Sequence, residues 1–192
     1  MSSGINVYAV PMERLKQAVG SRDQAIIDAI VAGQKGFLSS IDDIDEEAEL
    51  TCADAVAELL NGELSEDAPG YLYGYAVEAI CSHVGETLPN ICPIAGASDW
   101  IEEVDALLEG KGIPVRLNGL VYGGSPVPIP EPDDYPFIGK WTAAELPAAK
   151  AAFEAADLTD VDPEMAETLQ QIRDWVEAAA KNPGTSLVGF LS

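Results

Sequence analysis

The chain has 192 residues, and its 33 acidic and 10 basic side chains give a formal net charge of −23 at pH 7. This charge repels phosphate backbones and anionic lipid headgroups, which argues against nucleic acids and membrane surfaces as partners. A hydrophobic content of 47% argues against disorder, and the length predicts a single globular domain over residues 1–192 with a sizeable core.

The N-terminal sequence and the cysteines predict a cytoplasmic protein. MSSGINVYAVPMERL lacks the charged region and long apolar run of a secretory signal. No stretch approaches the roughly 20 apolar residues of a membrane span. Cys52, Cys81 and Cys92 are odd in number and lack metal-ligand spacing, which fits a reducing compartment better than a disulfide framework.

The first predicted elements are short. GINVYAV, residues 4–10, alternates in the way typical of a mostly buried strand, and this strand ends at Pro11. Apolar residues spaced three and four apart then predict two helical pieces, with Ser21 as the cap of the second. Gly33 and Gly36 are predicted to close this pair.

The stretch SIDDIDEEAEL, residues 40–50, contains six carboxylates and no basic residue. Apolar residues from Ile44 to Leu60 recur at steps of three and four, which predicts an amphipathic helix. Its acids fall opposite the apolar stripe or along its flank, and several are expected in the first turn, where the helix dipole stabilises anions. The six acids are Asp42, Asp43, Asp45, Glu46, Glu47 and Glu49.

Two longer helices are predicted in the middle of the chain. YLYGYAVEAICSHV, residues 71–84, has an apolar stripe that includes His83, with Glu78 on the other side. His83 is therefore predicted to be buried and hydrogen-bonded in the core. ASDWIEEVDALLEGKG, residues 97–112, predicts the second helix, which Ser98 or Asp99 caps and Gly110 stops.

The next segment is rich in proline. VRLNGLVY, residues 115–122, is a short strand candidate, and the loop GGSPVPIPEPDDYP, residues 123–136, follows it. This loop is interpreted either as a lid or as a surface crossing. Thr142 and Glu145 are then predicted to form a capping box that opens another helix.

The end of the chain predicts one helix and one strand. Asp162-Pro163 begins the helix, Asn182-Pro183-Gly184 ends it, and TSLVGFL, residues 185–191, is a closing strand. Strands at both termini around several helices predict an α+β fold. In this fold a small sheet, with the terminal strands as neighbours, is covered by five to seven helices.

Five segments carry a resemblance to a known family. GINVYAV, GSRDQAIIDAI, YGYAVEAICSHVG, DDYPFIGKWT and a final SLVGF resemble, in that order, a family of bacterial proteins known only as a domain of unknown function. The resemblance runs from Gly4 to Phe190, and a more distant likeness is to YfbM-like proteins. Such proteins often end in an aromatic pair, whereas Leu191 and Ser192 follow Phe190 here. The resemblance implies a bacterial cytosolic α+β domain and assigns no catalytic residue.

The residues themselves predict no catalytic residue, no metal site and no cofactor. The phosphate-binding patterns GxxxxGK[ST] and GxGxxG after a strand are absent, as is GxSxG. One histidine and scattered cysteines do not supply the clustered ligands of a zinc site. Nothing in the local sequence lowers the pKa of the Cys52 or Cys92 thiol, so both are interpreted as buried structural residues. Enzymatic activity is left undecided.

The leading hypothesis is a binding protein of immunity or regulatory type. Its six acids at residues 42–49 would dock on a basic protein, because complementary charge speeds encounter and selects partners. Plain solubility explains the same charge equally simply.

Two further hypotheses use other features. The alternative is a small-molecule-binding protein or enzyme with a pocket under loop 123–136, near Tyr71, Tyr75, Tyr135 and Trp141. Core packing is the competing explanation for these aromatic residues. A mimic of duplex nucleic acid would need carboxylates spaced like phosphates over two or more faces. Neither the partner nor the oligomeric state follows from the sequence.

Overall fold

The computed structural model describes residues 4–44, 48–65, 67–91 and 97–192. The strands in these residues are β1 (Ile5–Pro11), β2 (Glu86–Ile91), β3 (Phe137–Trp141) and β4 (Thr185–Leu191). The helices in them are α1 (Met12–Ala18), α2 (Gln24–Gly33), α3 (Lys35–Asp42), α4 (Cys52–Asn61), α5 (Gly70–Val84), α6 (Ala97–Gly110), α7 (Leu117–Tyr122), α8 (Leu146–Ala155) and α9 (Pro163–Ala180).

The strands form one antiparallel sheet in the order β2-β1-β4-β3. The two terminal strands pair along their whole length, from Ile5 opposite Leu191 to Pro11 opposite Thr185. Both strands are rich in β-branched and aromatic residues, which suits a fully buried position in the middle of a sheet. The predicted α+β class and the predicted pairing of the terminal strands are confirmed.

Helices cover both faces of the sheet, and the chain fills the faces in sequence order. Successive side chains of a strand point to opposite faces, so Tyr8 and Val10 enter one core while Val7 and Ala9 enter the other. The first core is filled mainly by α1 to α5, and the second by α6 to α9. A surface site on α5 and a surface site on α6 therefore lie on opposite sides of the sheet.

The predicted strand over residues 115–122 is wrong, because the structure places helix α7 there. Both carboxylate oxygens of Asp105 accept hydrogen bonds from the first backbone N–H groups of this helix, on Leu117 and Asn118. Helix α7 also lies close against the sheet where Gly139 and Gly189 face each other. A β-carbon at Gly189 would come within 2.7 Å of the Leu120 carbonyl oxygen. Two partners distant in sequence therefore decide that the segment is helical.

The predicted helix over residues 44–60 is wrong for Ile44 and for residues 48–51, while residues 45–47 lie outside the described ranges. Helix α3 ends at Asp42, and α4 begins only at Cys52. Thr51 caps α4 in a capping box with Asp54, and these competing hydrogen bonds fix the helix start eight residues later than the apolar spacing suggested. Asp43 and Glu49 therefore lie on a connection between two helices.

Smaller differences concern caps and short strands. Asp23 caps α2, accepting from the backbone of Ala25 at 2.9 Å, whereas Ser21 accepts only from the Asp23 N–H. Glu145 accepts from Thr142 as expected, but α8 itself begins at Leu146. Strands β2 and β3 and helix α3 were not predicted, since each is short and depends on its neighbours in the sheet or core.

Candidate functional site

Of the predicted acidic docking residues, Asp42 is the last residue of α3, and Asp43 and Glu49 lie on the connection between α3 and α4. Asp45, Glu46 and Glu47 are outside the described residues, whereas Asp43 and Glu49 are exposed. Asp42 is half-buried, and its Oδ1 accepts a hydrogen bond of 2.7 Å from the first N–H of α4, on Cys52. One of the six acids thus has a structural role, and two of the other five are seen to face the solvent.

A small depression lies beside this acidic connection. It has a volume of about 270 Å³ and is lined by Asp42, Asp43, Ala48, Leu50, Thr51, Tyr71 and Leu72. Two of these residues, Tyr71 and Leu72, are in the first turn of α5. The acidic connection therefore meets α5 at the start of that helix.

The four aromatic residues of the alternative pocket do not line one cavity. Tyr75 is buried in the first core, with its ring edge-on to Phe37 at 6.1 Å, and Tyr71 is half-buried beside the acidic connection. Trp141 lies in the second core and donates its indole N–H to the Arg116 carbonyl at 2.8 Å. Tyr135 alone lies in the proline-rich loop, where it is exposed.

A groove does lie under the proline-rich loop, between the loop and strand β3. We call it the loop groove. It has a volume of about 480 Å³ and is lined mainly by apolar and aromatic side chains. The lining residues are Tyr122, Gly124, Ser125, Val127, Pro128, Ile129, Glu131, Pro132, Pro136, Phe137 and Ile138.

Alternating prolines build the wall of the loop groove. Pro126, Pro128, Pro130 and Pro132 fix φ at every second residue, and each restricts the residue before it to extended backbone. Val127 and Ile129, between them, pack against the first core and hold the loop to the body of the protein. The loop begins with a hydrogen bond of 2.8 Å from the Gly124 N–H to the Ile138 carbonyl, on the edge of β3.

Two glycines of α5 let the other end of the loop approach closely. Gly70 and Gly74 are one turn apart and so share a face of the helix. A β-carbon at Gly70 would come within 2.5 Å of the Glu131 carbonyl oxygen, and one at Gly74 within 2.8 Å of Pro136 Cγ. The loop is thus fastened to α5 on one side and to β3 on the other. The two glycines one turn apart in GYLYG are the sequence feature from which this contact could have been predicted.

The rim of the loop groove is both aromatic and acidic. The Phe137 ring lies 5.1 Å, centroid to centroid, from the rings of both Tyr122 and Tyr135. Glu131 lines the groove, and Asp133 and Asp134 are exposed just beyond it. None of these three acids forms an ion pair within the described part of the chain.

A larger cavity, of about 520 Å³, lies on the other face of the sheet. Its lining includes Arg116, Glu109, Lys140 and the buried Trp141. Arg116 and Glu109 pair with each other at 2.6 Å, so their charges largely cancel. The loop groove has the more apolar lining and the exposed aromatic rim, which are the features of a binding site, and we take it as the candidate site.

Helix α5 also carries a buried carboxyl group. Glu78 of α5 is 1% exposed, and its Oε1 accepts from Tyr8 Oη at 3.0 Å and from Asn6 Nδ2 at 2.9 Å. Its Oε2 has no hydrogen-bond partner. Burial raises the pKa of Glu78 to about 7, although both hydrogen bonds act in the opposite direction. Because it is sealed from solvent, Glu78 joins α5 to β1 rather than facing a ligand.

The prediction that His83 is buried is wrong, because its side chain is exposed near the end of α5. The residues buried instead on that part of α5 are Glu78, Cys81 and Val84. Helix α5 packs against β1 on one side and against α1 and α4 on others, so it has no single solvent face. A helical-wheel projection with a single apolar stripe therefore predicts the wrong polar residues of α5 to be buried.

The described cysteines are not placed for nucleophilic chemistry. Cys52 and Cys81 are free thiols, fully buried in the first core, as interpreted for Cys52 from the sequence. Burial raises the pKa of Cys52 to about 12 and raises that of Cys81 as well, and both changes disfavour the thiolate. Cys92 lies outside the described residues.

No group of three or more His, Cys, Asp or Glu side chains in the described residues is arranged to hold a metal ion. No helix in the same ranges has both the length and the apolar character needed to cross a membrane.

A family model described as a domain of unknown function, DUF7691, matches residues 1–192. The chain belongs to this family. The match confirms the resemblance to an uncharacterised domain family, while the likeness to YfbM-like proteins and the bacterial origin stay predictions. No curated protein and no solved structure matches the chain.

Proposed function

We propose that this chain is a cytoplasmic binding protein of bacterial origin, of immunity or regulatory type, that captures a basic protein. The docking surface is the region where the acidic connection between α3 and α4 and the proline-rich loop meet the start of α5. We call this region the acidic docking surface. Its exposed acids are Asp43, Glu49, Glu131, Asp133 and Asp134.

The observation that carries the proposal is the convergence of two acidic segments distant in sequence. Asp42 and Asp43 line the depression that Tyr71 borders, and the Glu131 backbone lies against Gly70, the residue before Tyr71. Both segments thus contact the same turn of α5. None of the exposed acids of the acidic docking surface is neutralised by an ion pair within the described residues.

Charge of one sign concentrated at one place supports partner selection. Opposite charges steer a partner toward the surface and raise the association rate, whereas a partner of like charge is repelled. The adjoining loop groove supplies apolar and aromatic contacts, which give affinity that charge alone does not.

The test is affinity capture with two matched variants. One carries Asp43→Asn, Asp133→Asn and Asp134→Asn in the acidic docking surface. The control carries Asp99→Asn, Glu102→Gln and Glu103→Gln, three exposed positions of α6 on the opposite side of the sheet. Both variants lose three negative charges. The tagged proteins are incubated with a nuclease-treated native extract and washed at low and high salt, and bound proteins are identified by mass spectrometry.

A basic partner that is retained by the wild-type protein and the control, but lost by the first variant, is the expected result. Loss at high salt should accompany it, because salt screens exposed charges. Equal loss from both variants would mean that only net charge matters, and the proposed surface would then be rejected. Retention by both variants would reject it as well.

The volume of the loop groove favours a second candidate function, the binding of a small molecule. About 480 Å³ falls within the range of roughly 300–1,000 Å³ that is usual for ligand pockets. A ligand screen that follows the melting temperature of the wild-type protein and of Tyr122→Ala tests this candidate. A compound that stabilises only the wild-type protein would favour small-molecule binding over protein capture as the function of the groove.

A further inference from the structure

The loop groove has an aromatic rim that the solvent reaches. Tyr122 and Tyr135 are 39% and 38% exposed, and they account for two of the four large hydrophobic side chains exposed in the described residues. Both rings touch Phe137, at interplanar angles of 56° and 66°. Single exposed aromatics are common on protein surfaces, but exposed rings gathered around one groove mark a contact site.

The groove is also free of positive charge. Between Leu117 and Gly139 the chain contains no Lys, Arg or His, whereas Glu131, Asp133 and Asp134 are all within this segment. Glu131 lines the groove itself and has no ion-pair partner among the described residues. The face of an aromatic ring is electronegative, so rings and carboxylates here attract the same kind of ligand.

We propose that the loop groove binds a guanidinium group, supplied by an arginine side chain of the basic partner. This inference rests on the proposed function and names the chemistry that the groove recognises. Guanidinium stacks on the exposed face of Tyr122 while its N–H groups donate to the Glu131 carboxylate. The apolar wall of Pro128, Pro132 and Pro136 covers the alkyl part of the side chain.

Arginine suits this groove better than lysine for two physical reasons. Its planar, delocalised cation stacks on a ring and pairs with a carboxylate through two parallel hydrogen bonds, whereas an ammonium group is a point charge. Guanidinium is also more weakly hydrated, so a groove lined by proline and aromatic rings removes its water at lower cost.

The test uses a defined probe and its neutral analogue. The full chain is titrated with acetyl-Gly-Gly-Arg-Gly-Gly-amide and with the same peptide carrying citrulline, which has nearly the same shape as arginine and no charge. Binding is followed by NMR shifts of the Tyr122 and Phe137 rings and of the Gly124 N–H. The arginine peptide should give saturable shifts and bind roughly tenfold more tightly than the citrulline peptide, as expected for a cation–π contact joined to an ion pair.

Three variants locate the contact. Tyr122→Leu and Glu131→Gln should each weaken arginine binding several-fold, and Tyr122→Phe should retain it because the ring face is kept. Glu102→Gln, an exposed acid on α6, should bind as the wild-type protein does. Equal binding of the two peptides, or arginine binding that Tyr122→Leu and Glu131→Gln leave unchanged, would overturn the inference.

The outcome also separates this inference from the proposed function. If neither peptide binds, but partner capture still depends on Asp43, Asp133 and Asp134, the guanidinium site is rejected and the acidic docking surface stands. If the arginine peptide binds at Tyr122 and no basic protein is captured, the guanidinium site is supported and the proposed function is rejected.

Discussion

Pro136 lies directly over Gly74, and no side chain fits between them. A β-carbon at Gly74 would be 2.8 Å from Pro136 Cγ and 3.0 Å from its Cδ. This contact, together with that of Gly70 and Glu131, holds the proline-rich loop against α5 and so sets the shape of the loop groove.

Gly74→Ala should therefore destabilise the fold and loosen the loop. Overpacking of this kind typically costs about 1–3 kcal/mol, and better helix propensity offsets up to about 1 kcal/mol of it. Urea unfolding measures the change, and limited proteolysis of residues 123–136 reports the loosening. Gly36→Ala in α3 is the control, since a β-carbon there meets nothing within 4 Å and should leave stability unchanged or slightly higher. Equal changes in stability for Gly74→Ala and Gly36→Ala would contradict the close contact between Gly74 and Pro136.

Glu78 should make the protein less stable as the pH rises from about 4.5 to 7. Burial raises its pKa from 4.5 to about 7, so the folded state binds this proton more tightly than the unfolded state. The loss of unfolding free energy caused by ionising the buried Glu78 is absent below pH 4.5. It reaches its full value, of the order of 3 kcal/mol, above about pH 7. Glu78→Gln should remove this slope while keeping an oxygen acceptor for Tyr8 and Asn6.

The measurement is the difference in unfolding free energy between Glu78→Gln and the wild-type protein at pH 5 and at pH 8. We expect this difference to move in favour of the variant at the higher pH. Glu102→Gln, at an exposed position of α6, removes one carboxylate in the same way and is the matched control. A pH-independent difference for Glu78→Gln would mean that Glu78 titrates normally in the folded protein.

Asp42 should contribute to stability through the start of α4. Its carboxylate accepts from the Cys52 N–H at 2.7 Å, and loss of a helix-capping acceptor usually costs about 0.5–2 kcal/mol. Asp42→Ala should lower the unfolding midpoint in urea by a corresponding amount, and Asp42→Asn, which keeps an oxygen acceptor, by less. Asp43→Ala, at an exposed neighbour, should have almost no effect. Similar losses for Asp42→Ala and Asp43→Ala would point to general electrostatics instead of capping.

The thiols of Cys52 and Cys81 should be unreactive in the native protein. Both are buried, and their pKa values are raised, so little thiolate forms and little reagent reaches it. In a Cys92→Ser background, the disulfide reagent DTNB should label neither residue until denaturant is added. Rapid labelling of a thiol in the folded protein would contradict the burial.

Elements with strong local signals were predictable from the sequence alone. The alternation in GINVYAV, the strand TSLVGFL after the Asn182-Pro183-Gly184 break, and the spacing of apolar residues in α6 and α9 each depend on residues close together in the chain, as does the Asp162-Pro163 start of α9. Those elements form as predicted, and with them the α+β class. The proline-rich stretch was also recognisable as a loop, because proline itself fixes φ and removes a hydrogen-bond donor.

Tertiary structure decided the features that depend on distant partners. Residues 115–122 have the composition of a strand, yet Asp105 and the paired glycines of β3 and β4 make them the helix α7. Glu78 is buried and His83 exposed because α5 is surrounded on several sides, which a single apolar stripe does not describe. The contacts that loop 123–136 and the acidic connection each make with the first turn of α5 likewise involve segments about 90 residues apart, a separation over which local periodicity carries no information.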